Sequence, residues 1–143
     1  MIQFTDVIKS YTEGNTALNG VNLQIEDGEF VFLVGPSGSG KSTIMKLITG
    51  ELKPTSGSIH VNGYNLESIR KRDIPHMRRT LGIVFQDFRL IPKMTVYDNV
   101  AFAMRVIGAK EAEIRERVPY ILELVGLSGK ERRHPNEMSG GEQ

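Results

Sequence analysis

The sequence predicts an α/β fold with a partly antiparallel sheet, and three observations predict it. Residues 30–34 and 81–85 are continuously apolar, which is typical of strands covered on both faces, as in a parallel sheet. Residues 17–25 largely alternate apolar and polar side chains, as a strand with one solvated face does. The last third of the chain has apolar residues at helical spacing. We expect a mainly parallel core, with an antiparallel element from residues 1–26 and 57–63.

Local signals place the elements of the first two thirds. Residues 1–11 and 17–25 are predicted strands, and the turn signal Asp27-Gly28 leads into a strand over 29–34. A helix over 43–48 is predicted next, because its apolar residues share one face. The remaining predictions are a strand over 58–61, a hairpin turn at Asn62-Gly63, a short helix over 66–72 and a buried strand over 81–85.

Two helical stripes follow. The first runs from Val96 to Ile107, with Thr95 as a candidate cap. The second covers residues 114–125 and contains Pro119, which lacks a backbone donor and so predicts a kink or two short helices. We expect the first stripe to be core rather than a docking face for a partner helix.

Composition excludes several classes of protein. The 143 residues, 39% of them hydrophobic, suffice for one domain with a core. A net charge of +1 argues against a dedicated nucleic-acid binder, and the lack of cysteine excludes disulfide scaffolds and cysteine-ligated zinc. No apolar run approaches the roughly 18 residues of a membrane span, and the first residues do not resemble a signal peptide. We therefore expect a cytoplasmic protein.

A glycine-rich motif follows the first predicted buried strand. Residues 35–42 read Gly-Pro-Ser-Gly-Ser-Gly-Lys-Ser, the full G-x-x-x-x-G-K-S phosphate-loop pattern, with a predicted helix behind it. In such a loop the backbone amides and the helix dipole surround phosphate oxygens. The Lys41 ammonium can reach the β- and γ-phosphates, and the Ser42 hydroxyl suits Mg²⁺. The predicted nucleotide-binding residues here are Gly35, Pro36, Ser37, Gly38, Ser39, Gly40, Lys41, Ser42 and Thr43.

Further motifs resemble those of the ATP-binding-cassette (ABC) ATPases. Residues 138–143, Met-Ser-Gly-Gly-Glu-Gln, are similar to the family's Leu-Ser-Gly-Gly-Gln/Glu signature. Gln86 follows the predicted strand 81–85, as the family's Q-loop glutamine does, and Tyr11 stands where an aromatic residue typically stacks on adenine. The stretches 29–42, 84–90 and 95–101 are similar to the cell-division members of this family.

The resemblance implies a phosphate-loop NTPase fold with defined roles. Two nucleotide-binding domains would sandwich two Mg·ATP molecules, with Ser139, Gly140 and Gly141 facing the partner's phosphate loop. Lys41 and Gln86 would be catalytic, and Ser42 and Gln86 would ligate Mg²⁺. The full-length homodimer would hydrolyse ATP at the inner face of the membrane, driving a transmembrane partner that regulates peptidoglycan hydrolysis.

The resemblance also implies a domain layout, and two of the family's parts are missing from the sequence. The core with its antiparallel element would span 1–94, the start of the helical subdomain 95–138 and the signature 138–143. No apolar strand ending in Asp-Glu (Walker B with the catalytic glutamate) and no switch histidine are recognisable, and His60, His76 and His134 are interpreted as structural or solvated. We therefore expect the 143-residue chain to bind Mg·ATP but to hydrolyse it poorly. Because the missing strand lies beside 29–34 in the family, we also expect an unpaired apolar edge and self-association.

Several alternatives remain. The ATPase subunit of a related transporter, of the lipoprotein-release or macrolide-export type, fits the loop and signature equally well. A nucleotide-binding or interaction module that never hydrolyses ATP fits the chain as given. A soluble cassette ATPase acting on DNA or ribosomes fits less well because of the charge, and a GTPase would need an Asn-Lys-x-Asp motif. Five basic residues between Arg70 and Arg79 could contact anionic lipid, although a solvated surface is the preferred interpretation.

Overall fold

A computed structural model describes residues 1–12 and 14–143 and divides the chain into two compact units, Met1–Gly82 and Ile83–Gln143. The first unit is built on a four-stranded antiparallel sheet of order β2-β1-β3-β4. Its strands are β1 (Ile2–Thr12), β2 (Asn15–Ile25), β3 (Ser56–Val61) and β4 (Tyr64–Asn65). The antiparallel element predicted from residues 1–26 and 57–63 is thus confirmed.

The core of the first unit lies between this sheet and helix α1 (Lys41–Ile48). Phe4 in β1 stands opposite Leu23 of β2 and Ile59 of β3, so one sheet position gathers three apolar side chains. Phe4 and Ile59 are buried and Leu23 is partly buried. Full burial of one such side chain stabilises a fold by about 1.5–3 kcal/mol. The largest fully buried side chains of this core are Phe4, Leu47, Ile59, Met77, Val7 and Val61.

The sequence predicted the turn after β3 correctly but misplaced the helix that follows β4. The predicted Asn62-Gly63 turn joins β3 to β4, with φ of 47° and 83°, the left-handed geometry that hairpin turns require. The predicted helix over 66–72 is wrong. The helix is α2 (Ile74–Arg78) instead, anchored by the buried Met77, and Asp73 at its start takes a 2.6 Å ion pair from Arg70.

The second unit contains helices α3 (Val96–Val106) and α4 (Glu111–Leu124) and a 3₁₀ turn, Pro135–Glu137. Thr95 caps α3 as predicted: its hydroxyl accepts from the Asp98 amide at 3.1 Å. The buried members of the second unit's core are Ala101, Ile114, Val118 and Leu122. The second predicted stripe supplies three of these, whereas Val96, Val100 and Met104 of the first stripe are partly buried against them. The last residue of each stripe, Ile107 and Val125, is 64% and 60% exposed, so neither stripe is core along its whole length. Helix α4 runs through Pro119 as one helix, so of the two predicted alternatives, a kink or two short helices, the second is wrong.

The predicted strands over 29–34 and 81–85 are absent from the described structure. Phe30 and Phe32 are 83% and 78% exposed and Val84 is 98% exposed, whereas buried strands were expected. A strand requires a neighbour that pairs with its backbone, and the sheet of the described residues consists of β1–β4 only. These segments therefore lie outside it, and its pairings are all antiparallel rather than mainly parallel.

The four described α-helices are 5 to 14 residues long. In the described part of the chain, none is both long enough and apolar enough to cross a bilayer.

Candidate nucleotide-binding site

The phosphate-loop sequence ends at the start of α1, and Gly40 fixes that junction. Gly40 is the cap of α1, with φ of 91°, a conformation that side chains disfavour. A Cβ there would lie 2.7 Å from Leu18 Cδ2 and 2.8 Å from the Ala17 carbonyl oxygen. The end of the loop therefore sits directly against β2, and only glycine fits.

The Lys41 side chain turns back across the loop. Its ammonium donates to the carbonyl oxygens of Gly35 and Pro36, each at 2.7 Å, and to Ser39 Oγ at 3.4 Å. The loop also closes on itself, because the Ser39 amide donates to the Pro36 carbonyl at 3.3 Å. A positive charge is thus held within the loop by backbone acceptors.

A cavity of about 430 Å³ opens beside this loop. That volume lies within the usual range of small-molecule sites. The described residues that line it are Tyr11, Asn15, Thr16, Ala17, Ser37, Gly38, Gly40, Lys41, Ser42 and Thr43. The structure thus brings seven of the predicted site residues to one cavity, joined by three residues at the start of β2 that sequence reasoning missed. Gly35, Pro36 and Ser39 lie on the loop around Lys41 instead.

Tyr11 closes the cavity from the end of β1. Its hydroxyl lies 3.0 Å from Thr43 Oγ1, so a side chain of β1 is bonded to the first turn of α1. The Lys9 ammonium lies 5.7 Å from the centre of the Tyr11 ring, within cation–π range. The ring is half exposed, which leaves aromatic surface for a flat ligand.

Gln86 belongs to the second unit and lies in an exposed turn. The turn reverses through Phe88 and Arg89, which both have left-handed φ, 56° and 49°. The Arg89 guanidinium stacks 3.8 Å above the centre of the Phe85 ring and pairs with Asp87 at 3.5 Å.

Asn99 fastens the end of this segment to α3, and sequence reasoning missed it. Its carbonyl oxygen accepts from the Ile91 amide at 2.8 Å. Its amide nitrogen donates to the carbonyl oxygens of Ile91, Met94 and Thr95 at 3.2, 3.2 and 2.9 Å. The sequence did contain a signal for it, since Asn99 is a polar residue in the first turn of a predicted apolar helix that Thr95 caps.

The signature residues form a turn with an internal acceptor. The amide and hydroxyl of Ser139 donate to one oxygen of Glu142 at 2.8 and 2.9 Å, and the Lys130 ammonium binds the other carboxylate oxygen. These partners, Lys130 first and then Ser139, lower the pKa of Glu142 to about 2. Gly140 and Gly141 are exposed beside them.

The described residues that line the cavity include none of the three histidines, which were interpreted as structural or solvated. The three histidines lie in β3 (His60), in α2 (His76) and at the start of the 3₁₀ turn (His134), where His134 Nδ1 lies 3.4 Å from Glu137. Among residues 1–12 and 14–143, no group of three or more histidine, aspartate or glutamate side chains is arranged to hold a metal ion.

Comparison with known proteins identifies the class. A family model described as ABC transporter matches residues 18–143, so the chain belongs to that family. The dimeric cassette MJ0796, in a structure titled a post-hydrolysis state bound to ADP and Pi, superimposes with a TM-score of 0.87 at 35% identity over 99% of this chain and 65% of its own. The cbiO1 protein of Clostridium perfringens gives 0.81 at 31% identity, over 96% of this chain and 55% of its own. The fold is that of part of an ABC cassette.

Within this family the chain is similar to the cell division ATP-binding protein FtsE. It is 51% identical to FtsE of Streptococcus pneumoniae, 51% identical to that of Bacillus subtilis and 44% identical to that of Escherichia coli K12. All of this chain is aligned in each case, and it spans 62%, 63% and 64% of those relatives' lengths.

Proposed function

We propose that this chain binds Mg·ATP in the cavity between β1, β2 and the phosphate loop. The carrying observation is that one 430 Å³ space is lined by an ammonium, a hydroxyl-bearing helix start and an aromatic ring. Tyr11 would stack on the adenine, while Lys41 and the amides of residues 35–43 would bind the phosphates.

Mg²⁺ fits the donors present. Mg²⁺ in nucleotide sites takes few protein ligands and keeps phosphate oxygens and water, so a carboxylate cage is unnecessary. Ser42 lines the cavity and would supply a hydroxyl oxygen to the ion. Gln86 would be the second protein ligand and would orient the attacking water, with Lys41 stabilising charge on the transferred phosphoryl group.

The signature would act on a second copy of the protein. Ser139, Gly140 and Gly141 would contact the γ-phosphate held by the partner's phosphate loop, in a head-to-tail homodimer. The dimeric form of MJ0796 named in the solved structures supports this arrangement. The proposed layout assigns the core to 1–94, the start of a helical subdomain to 95–138 and the signature to 138–143.

In the full-length protein we propose ATP hydrolysis within an FtsEX-like cell-division complex. The partner would be a transmembrane protein resembling FtsX, held at the inner face of the membrane, and the output would be control of peptidoglycan hydrolysis. The 44–51% identity to FtsE proteins supports this choice over the lipoprotein-release or macrolide-export type of transporter.

A second function has its own support. The described residues that line the cavity include no carboxylate to polarise a water molecule. The lack of such a carboxylate favours two related functions: the 143-residue chain binds nucleotide but hydrolyses it poorly, or it is a nucleotide-binding module that never hydrolyses ATP.

Two measurements test the proposal. Calorimetric titration of the chain with Mg·ATP should show binding that Lys41→Ala weakens by roughly tenfold to a hundredfold, because a charge-assisted contact is lost. Lys46→Ala, a change of an exposed cation on the same helix, should leave the affinity within about twofold of wild type. Equal affinities in wild type and Lys41→Ala would contradict the proposed site.

Phosphate release separates the two functions. The full-length protein should release phosphate steadily, whereas the 143-residue chain should do so poorly. A full-length protein that binds Mg·ATP and releases none would favour the non-hydrolysing module.

A further inference from the structure

The signature turn depends on a residue outside the signature. Lys130 lies nine positions before Ser139 and binds the carboxylate that holds the serine. We infer that Lys130 is a positioning residue, which acts through Glu142 to keep the Ser139 hydroxyl and amide available to a phosphate. The inference rests on the proposed function, in which the signature contacts nucleotide.

The three side chains form one continuous series of hydrogen bonds, with the Glu142 carboxylate in the middle. One oxygen of Glu142 takes both Ser139 donors, at 2.8 and 2.9 Å, and the other takes the Lys130 ammonium. The Lys130 and Glu142 side chains are 29% and 32% exposed, so solvent screens their attraction less than that of a surface pair.

The backbone holds Lys130 in place behind the signature. Its amide donates to the Leu127 carbonyl at 3.1 Å, and the Leu127 amide donates to Leu122 near the end of α4 at 2.7 Å. The Arg133 amide in turn donates to the Lys130 carbonyl at 3.0 Å. The ammonium therefore extends from a turn that is anchored on the core of the second unit.

The chemistry of the acceptor explains why a cation is needed here. A carboxylate oxygen that accepts from Ser139 is the same kind of partner as a phosphate oxygen, so the two compete for one hydroxyl proton. While Lys130 holds the other oxygen, the carboxylate has a partner of its own and can release the serine. Without Lys130, Glu142 would retain the hydroxyl and add an uncompensated negative charge where a phosphate must arrive.

A purely structural role for the pair makes a different prediction. Ser139 and Glu142 stand three apart, as in a capping box, and removing Lys130 would then lower stability without a specific effect on turnover. The two roles are separated by how the effect of Lys130 depends on the charge at position 142.

The experiment uses the full-length protein with Lys130→Met, Lys130→Arg, Glu142→Gln, the double variant Lys130→Met/Glu142→Gln, and Arg132→Met as an exposed matched control. Lys130→Met should lower kcat roughly tenfold and weaken ATP-driven dimerisation, while Mg·ATP affinity of the monomer stays within about twofold of wild type. Lys130→Arg should retain activity, because a guanidinium also binds a carboxylate. Arg132→Met should behave as wild type.

The double variant decides between the roles. With Glu142→Gln present there is no carboxylate to neutralise, so adding Lys130→Met should change kcat by less than about twofold. A Lys130→Met protein with normal kcat, or one whose loss is the same in the Glu142→Gln background, would overturn the inference. Failure of wild type to bind Mg·ATP would instead reject the proposed function. Thermal unfolding of each variant identifies a misfolded protein, and Lys130→Arg still tests the charge if Lys130→Met does not fold.

Discussion

The phosphate loop (residues 35–42) and the signature turn (residues 138–143) each hold one charged side chain of their own by hydrogen bonds, but the two charges have opposite signs. Both are glycine-rich and contain serine, and in both a charged side chain of the motif is hydrogen-bonded to polar groups close by. In the loop the Lys41 cation is held by the carbonyls of Gly35 and Pro36. In the signature the Glu142 anion is held by Ser139 and Lys130. An incoming phosphate would therefore attract the Lys41 ammonium but would have to displace the Glu142 carboxylate from Ser139. This is why, in the inference above, Glu142 needs the neighbouring cation Lys130.

The largest effect should come from crowding the loop. Gly40→Ala places a Cβ against Ala17 and Leu18 and also strains a left-handed φ, so it should lower the free energy of unfolding by about 3 kcal/mol or more. Gly38→Ala is the matched control, because its φ is also left-handed, 81°, but a Cβ there meets nothing within 4 Å. It should cost about 1 kcal/mol. Equal losses in urea unfolding would show that close packing against β2 does not fix the loop.

The second-largest effect should come from Asn99, whose side chain holds residues 91–95 against the start of α3. Asn99→Ala removes four hydrogen bonds and leaves the Ile91 amide without its acceptor, so it should lower the free energy of unfolding by about 2 kcal/mol. Asn136→Ala changes an exposed residue of the same unit and should have an effect within about 0.5 kcal/mol. If the two variants unfold at the same urea concentration, the hydrogen bonds of Asn99 do not stabilise this unit as described.

The smallest effect should appear only in acid. The pKa of Glu142 is lowered to about 2 in the folded protein, from an ordinary value of 4.5. The ionised Glu142 therefore contributes its full stabilisation of the fold above pH 4.5, and this contribution is lost as the pH falls from 4.5 toward 2. The melting temperature should therefore drop less between pH 7 and pH 3 in Glu142→Gln than in wild type. The phosphate loop offers no such carboxylate, so Lys41→Ala should leave the acid dependence unchanged. Parallel curves for wild type and Glu142→Gln would contradict the bonding of Glu142.

Local patterns predicted the parts of the fold that local physics determines. The alternation in residues 17–25, the Asn62-Gly63 turn and the Thr95 cap all depend on neighbours within a few positions, and all three are found. The buried strands over 29–34 and 81–85 are not found, because burial depends on distant partner strands. The phosphate loop was predicted from its motif.

The supporting residues of both sites could not be predicted in the same way. Asn15, Thr16 and Ala17 reach the cavity only because β2 turns back beside β1. Lys130 and Glu142 are twelve positions apart with no regular pattern between them, so only the folded turn brings them together.

The exposed stretch before the phosphate loop has a thermodynamic consequence. Gly40 lies directly against β2, whereas residues 29–34 lie outside the sheet, so the described sheet supports the loop at its trailing end. If the proposed nucleotide binding restricts residues 29–34 further, that ordering would cost conformational entropy and oppose the affinity. Any neighbouring strand that paired with residues 29–34 would remove that cost in advance and tighten binding without touching the ligand.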